Sequence, residues 1–337
     1  MKKNIFPALR FIFFLSIGAA LFYLALKGTD FKTLVSELKH AHYSYIFYSL
    51  IFAMIAFASR AYRWNMLIHP LGYKPTFRNA FYSLMFGYLA NLALPRLGEV
   101  SRAVALNRAE KIPLDAIIGT VIAERAIDLL MLFLSIVLAL IVQFDRIYSF
   151  LNDNLVKPLE AKIFATIHSS YFIPGLIGTV IILSAMIYVL NKRKYSSTLT
   201  EKTSQFFKGI WQGLLTVIKL KNHSAFIFHT VLIWFLYWLV SYICFFSLDA
   251  TSSLDMKAGI FVLVVGELGM TAPVQGGIGA YHWIVTQGLL MFGIEATDGL
   301  SYATLVHTSQ TLLVILTGAI SFLMLSVFNK KSQHVNA

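Results

Sequence analysis

The segment "NLALPRLGEVSRAVAL" (residues 91–106) interrupts a chain that is otherwise strongly apolar. Small and apolar residues lead up to Pro95, and three charged residues, Arg96, Glu99 and Arg102, follow soon after it. A proline inside an apolar run breaks a helix, because it has no N–H to donate and its ring clashes with the preceding turn. The segment therefore predicts a broken helix with charged side chains at the break.

The composition predicts an all-α polytopic membrane protein. Of the 337 residues, 58% are hydrophobic and 13% are charged, whereas a soluble domain carries about 25% charged residues. The net charge of +12 lies in short loops beside apolar runs, which is typical of cytoplasmic loops. We therefore expect membrane lipids and no nucleic acid as partners. Cys244 is the one cysteine and lies in an apolar stretch, where we expect it to be a packing residue.

Nine apolar segments define the expected topology: residues 8–26, 43–68, 77–94, 113–143, 172–190, 224–247, 257–271, 280–293 and 299–328. The lysine-rich stretch 190–224 and both chain termini should be cytoplasmic. The number of membrane crossings agrees with these three cytoplasmic placements only if 77–94 and 257–293 each return to the side from which they enter. We therefore predict about six spans plus two re-entrant hairpins, in the bacterial inner (cytoplasmic) membrane.

This layout predicts an inverted-topology repeat within one flippase-like domain, residues 1–337. The half-repeats, roughly 1–145 and 170–330, each follow the order span, span, hairpin, span, but begin on opposite sides. Each hairpin breaks at a proline that a glycine follows three residues later, as the sequence at 95–98 and 273–276 shows. Such broken helices indicate a transport site near the membrane midplane. The alternative is two unrelated proline-kinked helices.

The first break predicts an anion site. A helix that begins near Pro95 would direct unpaired N–H groups into the protein, and such helix ends bind anions. Arg96 and Arg102 add positive charge, and an arginine can hold a phosphate through two parallel hydrogen bonds. Glu99 is three residues from each arginine, so we expect all three side chains on one helix face. The alternative is a cytoplasmic loop with an ordinary arginine–glutamate surface pair.

Charged side chains also occur inside an apolar run in "VIAERAIDLLML" (residues 121–132). Glu124 and Asp128 are four residues apart and share a helix face, with Arg125 beside them. Charges at membrane depth need partners, and we expect these carboxylates to pair with the arginines of the first hairpin when no substrate is bound. The alternative is a structural ion pair that locks the bundle. Glu267 is a further carboxylate in an apolar segment.

The second hairpin, "APVQGGIGAYHW" (residues 272–283), differs in character. It holds three glycines, together with Gln275, His282 and Trp283, but no arginine. If the two halves are mirror images, the positive charge of the site should therefore come mainly from the half whose hairpin opens to the cytoplasm. His282 and His307 would suit proton coupling if they titrate; the alternative is a hydrogen-bonded packing role for each.

In order and spacing, "LPRLGEVSRAVAL", "ERAIDLL" and "APVQGGIGAYHW" resemble signatures of the lysylphosphatidylglycerol synthase transmembrane-region family. The resemblance covers about residues 5–328. The matching positions are Pro95, Gly98, Glu99, Arg102, Glu124, Arg125, Asp128, Pro273, Gly276, Gly277 and Gly279. The chain departs from the pattern at Gln275, where many members have a second proline, and at His282, where they have a glutamate.

The resemblance implies a flippase-like protein that moves an anionic or phosphate-bearing lipid between leaflets. The lipid classes left open are phospholipid, aminoacyl-phospholipid and polyprenyl phosphate. In multiple peptide resistance proteins a domain of this kind is fused to a cytoplasmic aminoacyltransferase domain. No soluble domain follows the last span here, so we expect no lysyl-lipid synthesis, no cofactor and no metal. The charged residues of the two clusters, Arg96, Glu99, Arg102, Glu124, Arg125 and Asp128, are our candidates for binding the lipid headgroup.

Two alternatives belong to other functional classes. The first is a lipid-linked transferase, against which stands the absence of HExxH, GxSxG and P-loop motifs. The second is a scaffold or accessory subunit for a lipid-modifying or glycosyl-transfer enzyme, and a homodimer is also open. The loop at residues 192–223 has aromatic residues at helical spacing among its lysines, which predicts an amphipathic helix on the inner leaflet.

Overall fold

The computed structural model describes residues 6–152, 157, 220 and 222–334, and no strand occurs among them. The α-helices of these residues are α1 (Phe6–Leu26), α2 (Phe31–His40), α3 (Tyr43–Ile68), α4 (Phe77–Ala93), α5 (Leu97–Glu110), α6 (Leu114–Val142), α7 (Phe144–Leu151), α8 (His223–Phe245), α9 (Met256–Thr271), α10 (Ala280–Leu290) and α11 (Ala296–His334). The predicted all-α architecture is confirmed for this part of the chain.

The chain divides into two compact units. One comprises residues 1–142 and 212–337, and the other comprises residues 143–211. In the second unit the structure describes α7 together with Gln143, Asn152 and Lys157. The predicted span at 172–190 lies outside the described residues, as does almost all of the amphipathic loop at 192–223.

Four of the described helices are long and apolar enough to cross a membrane. They are Tyr43–Leu71, Leu114–Val142, His223–Phe245 and Ala296–Ser326. These helices confirm a polytopic membrane protein. Helix α1 coincides with the first predicted span. Its apolar part, Leu15–Leu26, is shorter than the four candidate spans and is not counted with them. The count of six spans stays a prediction.

The first break separates α4 from α5. Helix α5 begins at Leu97, two residues after Pro95. Leu94 has an extended backbone (φ −141°, ψ 130°), since a following proline disfavours the helical region. Arg96 then adopts a left-handed conformation (φ 63°), and the helix begins at Leu97. A helix therefore begins near Pro95, as predicted, although the left-handed residue Arg96 separates the proline from its first turn.

The ends of this first hairpin are joined by hydrogen bonds. Thr76 precedes α4 and Glu110 ends α5, and the Glu110 carboxylate accepts from the Thr76 N–H (2.9 Å) and hydroxyl (2.8 Å). At the other end, the Gly98 N–H donates to the Asn91 side-chain oxygen (2.6 Å). Helices α4 and α5 therefore run side by side in opposite directions, with the proline break at their tip.

The second hairpin joins α9 to α10 through a short 3₁₀ turn at Gln275–Gly277. Gly276 and Gly279 have positive φ angles of 56° and 84°, which favour glycine. The two hairpin tips meet, since a Cβ atom on Gly276 would lie 2.7 Å from the Leu92 side chain. In α8, Cys244 is fully buried, as expected of a packing residue.

The close approach of α4 and α5 predicts that Gly98→Ala destabilises the protein. A Cβ atom on Gly98 would collide with the backbone oxygen of Gly87 and lie 2.6 Å from the Asn91 side chain. The matched control is Gly119→Ala, because a Cβ there meets nothing within 4 Å. Thermal unfolding in detergent should show a lower midpoint for Gly98→Ala, and an unchanged or higher one for Gly119→Ala. Equal midpoints would refute the close packing.

Candidate functional site

A network of ion pairs connects three helices. Arg60 of α3 donates to Glu124 (2.6 Å) and Asp128 (2.7 Å) of α6. Arg63 donates to Asp128 (2.6 Å), and Arg102 of α5 donates to Glu124 (2.8 Å). The spacings of three residues on α3 and four on α6 place each set on one helix face. The two carboxylates therefore hold three arginines between them.

This network lies inside the protein. The side chains of Arg63 and Glu124 are fully buried, and that of Arg102 is 2% exposed. The Arg102 guanidinium also lies 4.8 Å from the centre of the Trp64 ring, a distance at which a cation and an aromatic face attract. Removing one member would leave a buried charge without its counter-charge, so the packing of α3, α5 and α6 depends on all members of the network being present.

The arrangement corrects one expectation about the first hairpin. Arg96, Glu99 and Arg102 do not share a helix face, because Arg96 precedes the helix in its left-handed conformation. Arg102 turns inward to Glu124, as expected for that pair, whereas Glu99 lies 3.3 Å from Arg125. The three charges therefore have three different environments, and Arg102 belongs to the buried network.

Asp128 does not pair with an arginine of the first hairpin, as we expected of the carboxylates of α6, because its partners are Arg60 and Arg63 of α3. A signal was present in "SRAYRWN" (residues 59–65), where two arginines three positions apart interrupt the apolar segment that forms α3. Since charges at membrane depth need partners, these arginines were candidates for the carboxylates of α6. The Arg60 guanidinium also donates to the Tyr237 hydroxyl on α8 (3.0 Å).

Both helix breaks line a cavity of about 510 Å³. Its lining includes Asn91, Leu92, Pro95 and Arg96 from the first break, and Ala272, Pro273, Val274, Gly276 and Gly277 from the second. Its charged lining residues are Arg60, Arg96, Glu99, Arg125 and Glu267. Apolar walls come from Phe57, Val240, Val262, Leu263, Val306 and Val314. The cavity therefore combines a charged region with an apolar one.

The histidines of the second half contact the glycine-rich break. The His307 Nε2 atom lies 2.8 Å from the Gly276 oxygen, and the Gly279 N–H donates to His282 Nδ1 (3.4 Å). The two imidazole rings are 4.8 Å apart and both side chains are buried. These contacts favour a hydrogen-bonded packing role for the two histidines. Gln275 is also buried, beside the cavity lining.

Among the described residues, no three histidine, cysteine or acidic side chains lie close enough together to hold a metal ion. His40 and His42, which stand two apart, have different partners. His40 Nδ1 lies 2.8 Å from the Ser36 oxygen, and His42 lies 3.6 Å from Asp249.

The four long apolar helices define a class, the polytopic membrane proteins. Within it, the sequence profile described as "Lysylphosphatidylglycerol synthase TM region" matches residues 11–318, and the chain therefore belongs to this family. It is also 28% identical over 130 residues to a UPF0104 membrane protein of Methanocaldococcus jannaschii. That match covers 38% of this chain and 36% of the relative, about a third of its length. No solved structure matches the chain.

The buried network predicts a large loss of stability for Glu124→Gln. The substitution preserves size but removes the charge that pairs with Arg102 and Arg60, and breaking a buried pair in this way costs about 3–5 kcal/mol. The matched control is Glu99→Gln, whose ion pair with Arg125 is partly exposed and should contribute less than about 1 kcal/mol. The measurement is the free energy of unfolding in mixed micelles. Equal losses for both variants would contradict the network's structural role.

Proposed function

We propose that this protein translocates an anionic or phosphate-bearing lipid between the leaflets of the bacterial inner membrane. The observation that carries the proposal is the cavity, because both helix breaks and three arginines line it together. Its charged region suits a phosphate headgroup, and its apolar walls suit the adjoining part of a lipid. Membership of the lysylphosphatidylglycerol synthase transmembrane-region family supports a lipid-related function.

Arg96 is the arginine best placed to bind the headgroup. Its side chain is exposed and lines the cavity, and among the described residues it has no ion-pair partner within 4.0 Å. Its guanidinium is thus available to donate two parallel hydrogen bonds to one phosphate. Arg102 is buried against Glu124, so its role in the proposal is to hold the bundle.

Arg125 is the second arginine for the headgroup. Its side chain is 42% exposed, and that of its partner Glu99 is 29% exposed. Exposed ion pairs contribute little free energy, so a phosphate can replace the Glu99 carboxylate at low cost. Glu124 and Asp128 are instead part of the buried network, and in the proposal they orient Arg60 toward the cavity.

Helix lengths support the re-entrant hairpins of the proposed topology. At 1.5 Å per residue, the 17 residues of α4 and 14 of α5 extend about 26 and 21 Å. The 16 residues of α9 and 11 of α10 extend about 24 and 17 Å. A hydrocarbon layer is about 30 Å thick. We therefore propose that each pair enters and returns, within an inverted repeat of six spans whose termini are cytoplasmic.

This topology predicts the side from which labels reach the hairpin ends. In a Cys244→Ser background, Lys74→Cys and Arg108→Cys flank the first hairpin, and Ser253→Cys and Glu295→Cys flank the second. A membrane-impermeant maleimide should label the first two from the cytoplasmic side and the last two from the outside. Labelling of the two members of either pair from opposite sides would show that the hairpin crosses the membrane.

The test of translocation is a leaflet-exposure assay in reconstituted phosphatidylcholine vesicles. The probes are fluorescent phosphatidylglycerol, its lysyl form and a short-chain polyprenyl phosphate. We expect one probe to cross faster than in protein-free vesicles, and Arg96→Gln to slow it about tenfold or more, since a hydrogen bond to a charged group contributes about 1.5–3 kcal/mol. The matched control is Arg108→Gln, because Arg108 is exposed on α5 outside the cavity lining.

The outcomes separate the functional classes. If no probe moves above the protein-free rate, the flippase proposal is wrong, and an accessory subunit or lipid-linked transferase becomes the better hypothesis. If a probe moves but Arg96→Gln and Arg108→Gln behave alike, Arg96 does not bind the headgroup. The substitutions avoid Arg102, whose loss would unpair the buried Glu124 and confuse folding with transport.

A further inference from the structure

Glu267 differs from the other acidic residues of the site. Glu99, Glu124 and Asp128 are each within 3.3 Å of an arginine nitrogen. Glu267 projects from α9 of the second hairpin and lines the cavity, yet it has no ion-pair partner within 4.0 Å in the described part of the chain. An ionised carboxylate without a partner is expensive at membrane depth, and such residues mark ion and proton pathways.

The helices packed against α9 present both signs of charge to Glu267. The titratable and charged residues that face it or share its cavity are Arg60 on α3, Tyr88 on α4, Arg96 at the first break, Glu99 on α5, Arg125 and Asp128 on α6, Tyr237 on α8, Tyr281 on α10 and His307 on α11. Arg60 and Arg125 attract the Glu267 carboxylate and Asp128 repels it. Since both arginines already have carboxylate partners, Glu267 adds a further negative charge to the cavity.

That charge conflicts with an anionic headgroup. A phosphate attracted by Arg96 and Arg125 would enter a cavity in which ionised Glu267 repels it, and such repulsion is stronger inside a protein than in bulk water. A neutral Glu267 would remove the repulsion. The two buried histidines are less suited to take the proton, because His307 and His282 each contact the backbone at the glycine-rich break.

We propose that Glu267 is a proton-binding site that couples lipid translocation to a proton gradient. A proton from the water on the acidic side binds a carboxylate oxygen of Glu267 as the anionic headgroup enters. The proton returns to water on the other side when the headgroup leaves. For a headgroup with one negative charge, the cycle moves no net charge. This inference rests on the proposed function, because coupling requires that a lipid moves.

The test uses the lipid probe that equilibrates in the leaflet assay, beginning with fluorescent phosphatidylglycerol in phosphatidylcholine vesicles. A gradient of one pH unit is imposed, and the fraction of probe in the outer leaflet is measured by dithionite quenching. The wild type should enrich the probe in the leaflet that faces the alkaline side, up to about tenfold for one proton per lipid. Reversing the gradient should reverse the enrichment.

Variants of Glu267 test whether its carboxylate binds the coupled proton. Glu267→Gln should equilibrate the probe without enriching it in either leaflet, and Glu267→Asp should keep the enrichment. The matched control is Glu295→Gln, an exposed residue outside the cavity lining, which should behave as the wild type. An independent measurement needs no variant: the solubilised wild type should take up about one proton per phosphatidylglycerol bound, read with a pH dye in weak buffer.

Each contrary result has a distinct meaning. If the wild type equilibrates the probe but its distribution ignores the gradient, or if Glu267→Gln still follows the gradient, coupling at Glu267 is wrong and lipid movement stands. If the wild type moves no probe, the proposed function fails and the coupling fails with it. If Glu267→Gln changes only which headgroups are moved, the carboxylate selects the lipid and binds no coupled proton.

Discussion

The packing of the broken helix depends on the ion pairs that Glu124 makes. Its carboxylate lies 2.8 Å from Arg102 and 2.6 Å from Arg60, so one buried side chain connects α6 to both α5 and α3. A charge buried this deeply is stable only with its partners present. The network therefore fixes where α5 lies after the proline break, and with it the position of the exposed Arg96.

The same constraint separates structural charges from those available to a ligand. Arg63 and Arg102 are enclosed by protein, and their guanidinium groups meet carboxylates or an aromatic ring. Arg96 and Arg125 reach the cavity with exposed side chains. An anion that enters would meet these two arginines while the buried pairs keep the helices in place. Substitutions in the two groups should thus affect stability and transport differently.

Glycines allow close contact between the two helices of the first hairpin, and between the tips of the two hairpins. Gly98 brings α5 against Gly87 of α4, and Gly276 brings the second tip against Leu92. A side chain at either glycine would require the backbone or a neighbour to move. The breaks therefore lie side by side at one cavity, although they are about 180 positions apart in the chain.

The sequence alone determined the membrane class, the family and the location of both breaks. Apolar runs give the helix bounds closely, as for α3 at Tyr43–Ile68, because local hydrophobicity and proline chemistry act over a few residues. The same signals located the break at Pro95, but the segment 77–94 that we expected to enter and return is one continuous helix, α4, and α5 folds back along it. The left-handed conformation of Arg96 between Pro95 and the first turn of α5 was not predicted, because no glycine or asparagine marks that position.

Only the tertiary structure decided which charges pair. The arginines of α3 lie about 65 positions from the carboxylates of α6, and periodicity within one helix contains no information on which helix packs against it. The inward turn of Arg102 and the lack of an ion-pair partner for Glu267 within the described residues likewise depend on neighbours distant in sequence. The sequence shows where charged residues lie along each helix. Helix packing decides which of them are buried in ion pairs and which line the cavity, because burial and pairing are properties of the assembled helices.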